Sequence, residues 1–346
     1  MPTLTSIIDA DAHVMETAQD LGPFGWAGTG YDLCDQMLEH PPDDPFWPVT
    51  AVNPATIPGA FDPDARLGDM DEERVDIAVN FPSALLCVSD APDRQRANGA
   101  CRVYNDWFAA TYGKQGRVRA MAAVNAADVD AAVAEARRAV RELGMVGITV
   151  PPYTREHHLD EPVFDPLWAT AQELDVPIGV HGGRSIHSPH LYAAGFRSQS
   201  RFYAMVHPFH QMYAMADLAL GGVFERFPSL KVVFLEAGVV WMPSYVERLD
   251  KALASFAPAT GGDVLARKPS EYLLSGNCWF SAEADEGGLA AAIDALGEDQ
   301  VVIATDYPHF DCEFPHTTEH LVDASGLSER VIAKVGRENP ARLYRL

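Results

Sequence analysis

Five ionisable side chains stand at or near the ends of apolar runs, where a lone charged group is costly to bury. Asp11 and His13 close "SIIDADAH", His181 closes "VPIGVH", Glu236 closes "LKVVFLE" and Asp306 closes "QVVIATD". One such residue reads as a satisfied core group. Several at the same end of successive apolar runs read as a site. Imidazole nitrogens and carboxylate oxygens suit Zn²⁺ or Mn²⁺. A catalytic ion takes about three or four of them and keeps a position open.

For these residues to meet, the apolar runs must be neighbouring strands. Eight short runs, largely β-branched or aromatic, begin near residues 6, 75, 117, 145, 176, 230, 276 and 300. That is how strands buried on both faces read. Amphipathic helical patterns lie between them. In "DVDAAVAEARRAVRELG", Val129, Ala132, Val133, Ala136, Val140 and Leu143 share a face, Arg137, Arg138 and Arg141 face away, and Gly144 is placed as a C-cap. The alternation predicts an α/β fold, a (β/α)8 TIM barrel in one domain over residues 1–346. A doubly wound open sheet is the alternative arrangement, though no GxGxxG follows the first strand. In a barrel the strand ends carrying these residues form the catalytic face.

Side chains two apart on a strand share a face, so Asp11 and His13 are expected to project together at the rim. Asp9 is expected on the same face one layer deeper, and Glu16 in the following loop. Two insertions, approximately 20–65 and 184–203, interrupt the repeat. They read as loops over the catalytic mouth, or as ordinary insertions at a subunit contact.

The chain has 346 residues, 47% of them hydrophobic, and a formal net charge of -23. So acidic a surface argues against nucleic acid and anionic membranes as partners. No apolar run reaches the ~18 residues a membrane span needs. The N-terminus shows neither the basic nor the apolar region of a signal peptide. The five cysteines form no CxxC, so no disulfide framework is expected and a cytoplasmic location fits.

Taken together, the D-x-H pair, "HGG", "GVFERFPSLKVVFLEAG", "TDYPH" and "ENPARLY" resemble the amidohydrolase superfamily. The resemblance covers essentially the whole chain. It is to the branch holding aminocarboxymuconate-semialdehyde decarboxylase and the resorcylate-type decarboxylases. It implies one divalent metal, Zn²⁺ or Mn²⁺, on Asp11, His13, His181 and Asp306, with Asp306 also acting as acid and base. It implies a non-oxidative decarboxylase of a small aromatic or unsaturated carboxylic acid, and a homodimer. The branch's decarboxylases resemble one another in a histidine at the end of strand six, where this chain has Glu236. Glu236 is therefore read as an extra ligand, a general base for water, or an acid paired to Arg248. The base role gives the alternative function, a metal-dependent hydrolase of a lactone, amide or C–C bond. A catalytically silent metal-binding scaffold is a third reading.

Around this set, His207 is a catalytic candidate. Arg184, His210, His309, Asn277 and Trp241 are candidates for binding substrate. Arg184 could clamp a carboxylate or simply be solvated. Lone histidines are also satisfied core or surface groups. Glu283 and Glu286 flank strand seven. Phe81, Trp279 and Phe310 could wall an aromatic pocket, or be core. His157 and His158 read as surface loop.

Overall fold

The computed structural model describes residues 6–29, 57–182, 199–260, 265–309, 311–323 and 326–346. Eight parallel strands run in sequence order: β1 Ile7–Val14, β2 Val75–Pro82, β3 Val118–Ala123, β4 Gly147–Val150, β5 Ile178–Val180, β6 Val232–Phe234, β7 Cys278–Ala282 and β8 Val301–Ile303. Each coincides with one of the apolar runs, β1 running one residue past His13, and all are largely buried. The principal helices around them are α1 Pro63–Glu73, α2 Arg94–Tyr112, α3 Val129–Leu143, α4 Asp165–Leu174, α5 Gln199–Leu220, α6 Met242–Thr260 and α7 Leu289–Leu296. This is a (β/α)8 TIM barrel, and the open-sheet alternative falls.

Seven ladders join β1 through β8, the first of them bulged. The β8–β1 seam is held just past β8 instead, where Asp306 N–H donates to Asp11 O at 3.0 Å and His13 N–H to Tyr307 O at 2.7 Å. Inward side chains, among them Ala10, Val79, Phe81, Met121, Val233, Trp279 and Val302, fill the barrel together with Leu343 and Tyr344 of the C-terminal helix. A second, larger layer fills the space between strands and helices. Gly179 on β5 is required by close approach: a Cβ there would lie 2.6 Å from the Phe81 ring.

Local signals place the helices. The Asp128 side chain caps α3, and Gly144 closes it at φ 74°. The outward arginines of α3 meet acids, Arg138 with Glu135 and Asp106, and Arg137 and Arg141 both with Glu173.

Only the edges of the two insertions fall within the described residues. Residues 20–29 include short helical turns, and α1 already begins at Pro63. The second insertion ends earlier than expected, because 199–203 form the first turn of α5. The remainder, 30–56 and 183–198, lies outside the described residues, as does Arg184.

Candidate metal centre

Asp11 and His13 leave β1 for the barrel interior, but not by simple alternation. Between Asp9 and Ala12 the strand takes three steps where β2 takes two, from Ala78 to Asn80. This bulge turns both Ala10 and Asp11 inward. It leaves Asp9 facing out, beside Arg66 and Met70 of α1. The expectation of Asp9 one layer deeper on the ligand face is therefore wrong. Its carboxylate instead crosses the seam to Thr305, accepting from N–H at 3.0 Å and from Oγ1–H at 2.5 Å.

The inward groups converge. His13 Nε2 and His181 Nε2 are 3.2 Å apart. Asp11 Oδ1 lies 3.6 Å from the first and 3.4 Å from the second, and Asp306 Oδ1 lies 3.2 Å from His13 Nε2. His181 Nδ1 sits 2.5 Å from the Gly182 carbonyl, which can only accept. That bond fixes the proton on Nδ1 and turns the Nε2 edge to the cluster. Asp306 and Glu236 both take up left-handed backbone, at φ 54° and 55°. Non-glycine residues are strained there, and such strain concentrates at functional sites. Phe81 floors the cluster, its ring centroid 5.0 Å from that of His181.

The donor set fits a divalent metal. Asp11, His13 and His181 offer three ligand atoms within 4.8 Å of one another. Asp11 is 1% exposed, yet among the described residues neither carboxylate oxygen has a hydrogen-bond partner. Buried carboxylates left this way are unfavourable unless a cation meets them. Burial first, then the charges of His309 and His181, push the His13 imidazole down to about 3, so it is neutral as a ligand must be. Burial lifts the Asp11 carboxyl to about 6, with His181 opposing.

Two proton-holding pairs flank this centre. His309 Nδ1 is 2.8 Å from Asp306 Oδ1, and its ring stacks on His13 with centroids 3.9 Å apart. Desolvation would lower His309, but Asp306 outweighs it and brings the imidazole to about 10. Burial would raise Asp306, yet His309 and His13 hold it well below the usual carboxylate range. The second pair is His207 Nδ1 with Glu236 Oε2, at 3.1 Å. Here too desolvation opposes and Glu236 prevails, raising His207. Glu236 Oε2 is also 3.5 Å from His181 Nδ1. Glu236 thus faces the centre, which discards its pairing to Arg248.

An open cavity of about 540 Å³ leads to the centre. Asp11, Glu236, Glu283, Asp285, Asp306, Asp311 and Glu313 line it, with no Lys or Arg among the described lining residues. Such crowding pushes the Glu283 carboxyl up to about 8, through burial first and then Glu286 and Asp285.

Of the other sequence candidates, Asn277 is misplaced. It precedes β7, at the opposite end of the barrel, where its amide donates to Pro228 O at 2.7 Å. Trp241 is also outside the cavity lining, its indole N–H donating to Ala237 O and its ring against Tyr245. Trp279 is interior core. His210 is buried beside a separate small pocket with Tyr153 and Pro152, although its Nδ1 and that of His207 both approach Gly182. Glu286 serves the backbone, accepting from Val239 and Val240 N–H. His157 and His158 lie after β4, paired with Glu161 and Asp217. Phe310 lies outside the described residues.

Sequence reasoning missed Ser83, Asp311 and the work of Glu16. Ser83 Oγ is 3.4 Å from His309 Nε2. Asp311 lines the cavity and accepts from the Tyr203 hydroxyl. Glu16 is loop, as expected, but buried, and its carboxylate accepts from the N–H groups of Ser83, Ala84 and Leu85. Only the "PSAL" turn after strand two hinted that backbone donors there needed an acceptor.

Burial lifts Glu16 to about 7 from 4.5, with those N–H groups opposing. A raised carboxyl stabilises the fold below its unfolded pKa, and that stability is lost as pH rises through the folded value. Glu16→Gln is therefore expected to be more stable than wild type at pH 8, by about 2–3 kcal/mol. The gap should close towards pH 4.5, read from urea midpoints across that range; a gap independent of pH would refute it.

A (β/α)8 barrel with a mixed His/Asp centre at its catalytic face defines a metal-dependent barrel enzyme. More narrowly, the chain belongs to the amidohydrolase family, whose model matches residues 8–346. It is 29% identical over 307 residues to the gamma-resorcylate decarboxylase of Rhodococcus jostii (strain RHA1), covering 82% of this chain and 87% of that one. The crystal structure of 5-carboxyvanillate decarboxylase from Sphingomonas paucimobilis superposes with a TM-score of 0.79, at 23% identity and 99% coverage of both chains. A dihydroxybenzoic acid decarboxylase from Polaromonas sp. JS666, with bound manganese, gives 0.76 at 24% identity, over 99% of this chain and 98% of that one.

Proposed function

We propose that this protein is a non-oxidative decarboxylase of a small aromatic or unsaturated carboxylic acid, dependent on one Zn²⁺ or Mn²⁺. The observation that carries the reading is a metal-type donor cluster directly joined to a held proton. Asp11, His13, His181 and Asp306 would hold the ion, and His309 Nδ1 stands beside Asp306. When bound, the ion supplies Lewis-acid polarisation of a substrate oxygen.

The residues supply the rest. Asp306 rests as a carboxylate, so it must be charged with a proton before it can act as an acid. His309 is the adjacent donor, 2.8 Å away. Asp306 takes that proton and delivers it to the substrate carbon bearing the carboxylate. The C–C bond then breaks, its electron pair returns to the ring, and CO₂ leaves. His207, whose imidazole the neighbouring Glu236 carboxylate raises above its ordinary value, orients a substrate oxygen by hydrogen bonding. His309 recovers its proton from solvent.

The hydrolase reading is favoured by one observation, the Glu236 carboxylate turned towards the centre, where it could orient water. Incubation with hydroxybenzoate-type acids and with lactones, following CO₂ against acid release, separates the two. CO₂ release is expected; acid release without CO₂ would make the hydrolase reading correct. Stripping the metal with a chelator should abolish turnover, and Mn²⁺ or Zn²⁺ should restore it. Full activity in verified metal-free protein would overturn either version.

We also infer a homodimer and a reducing, cytoplasmic setting. Cys101, Cys278 and Cys312 are free thiols. Among the described residues no helix is long and apolar enough to cross a membrane.

A further inference from the structure

We propose that Asp9 is a positioning residue for the metal centre, a carboxylate clamp that sets the two ligand-bearing strand ends across the barrel seam. This rests on the ligand set read above. Two ligands, Asp11 and His13, are on β1, and a third, Asp306, follows β8. Every other neighbouring pair of strands is joined by a ladder, bulged only between β1 and β2, whereas β8 ends at Ile303 with none to β1 among the described residues. Across this seam the ends carrying the ligands meet instead through two main-chain hydrogen bonds, Asp306 N–H to Asp11 O and His13 N–H to Tyr307 O.

Asp9 bridges this gap. It accepts from Thr305 N–H and Thr305 Oγ1–H on one side, and from Asp11 N–H at 3.2 Å on the other. Thr305 Oγ1 in turn accepts from Tyr307 N–H at 3.1 Å. The clamp thus grips the residues on both sides of Asp306, whose backbone is held in the left-handed region. It also fixes the amide of Asp11 at the bulge. Arg66 supports it from outside, donating from Nη1 to His13 O at 2.9 Å and from Nη2 to Asn80 Oδ1 at 3.1 Å. Asp9 touches none of the reacting atoms. It acts through Asp11 and Asp306, as outer partners of ligands do.

The test is Mn²⁺ affinity, read from the electron paramagnetic resonance of free Mn²⁺, beside the melting temperature. Asp9→Ala should bind Mn²⁺ about 10- to 100-fold more weakly, the range expected for an outer partner. Asp9→Asn should stay within about threefold of wild type. Its oxygen can still accept from both N–H groups, and its amide can donate to Thr305 Oγ1, which has a second lone pair. Thr305→Val, which removes one arm and keeps the shape, should lose about tenfold. Leu167→Ala, a cavity in the helix layer away from the seam, should lower the melting temperature without changing Mn²⁺ affinity.

Wild-type affinity in Asp9→Ala overturns the proposal. So do equal losses in Asp9→Ala and Asp9→Asn, or an equal loss in Leu167→Ala. Should Asp9→Ala not fold, wild-type affinity in Thr305→Val overturns it. Asp11→Ala separates the two readings. If it loses Mn²⁺ while Asp9→Ala does not, the clamp alone fails; if it keeps Mn²⁺, the ligand set fails and takes the clamp with it.

Discussion

Asp306→Asn is expected to lower kcat by about three to four orders of magnitude on whichever acid proves to be turned over, measured at saturating Mn²⁺. The amide keeps the shape and an oxygen that can still face His13, but it cannot carry a proton. Two effects combine. The acid that delivers the proton to carbon is gone. The charge that raises His309 to about 10 is gone as well. With desolvation unopposed by Asp306, His309 is left neutral over much of the working range, so the store empties with the carrier. Asp11, His13 and His181 remain, so the ion should bind more weakly but still bind. Measuring metal content alongside kcat keeps these losses apart. A metal-saturated Asp306→Asn enzyme within tenfold of wild type would remove Asp306 from proton transfer and leave it a ligand only.

The candidate ligands are legible in the sequence because of a conflict between levels. Asp11, His13, His181 and Asp306 are ionisable groups closing runs that otherwise read as fully buried, and burial without a partner is costly. Strand order then follows from the βα alternation, and one face collects them. Asp9 shows where such reasoning stops. A period of two predicted its face, but a bulge is a matter of register against β2 and leaves no mark in the β1 sequence alone. Asn277 failed for a different reason: it starts the apolar run of β7 rather than ending it, and so belongs to the opposite rim. Ser83, Asp311 and Glu16 sit in loops, where polar residues are ordinary and no periodicity separates the ones that turn inward.

Glu236→Gln carries the second large expected effect, because the replaced charge is what raises the proton affinity of His207. Burial alone would lower His207; the carboxylate 3.1 Å away reverses the sign. Gln has nearly the same size and removes that charge. His207 should then give up its proton at lower pH, and the alkaline limb of the kcat profile should move down with it. About a hundredfold loss of kcat is expected at pH 8, of the order of one lost general acid or charged hydrogen bond. The deficit should narrow as the pH falls and His207 is recharged. Were Glu236 instead the base that orients water, the gap would also narrow on acidification, but because wild type falls towards the variant along an acidic limb that Gln lacks altogether, with the alkaline limb unmoved. Position of the limb lost, acidic or alkaline, therefore assigns Glu236. Metal content should be unchanged in either case, since Glu236 reaches the centre through His181 Nδ1 at 3.5 Å rather than through the Nε2 edge that faces Asp11 and His13. Loss of the ion in Glu236→Gln would make this residue a ligand after all, and His207 would then owe its charge to a site assembled differently.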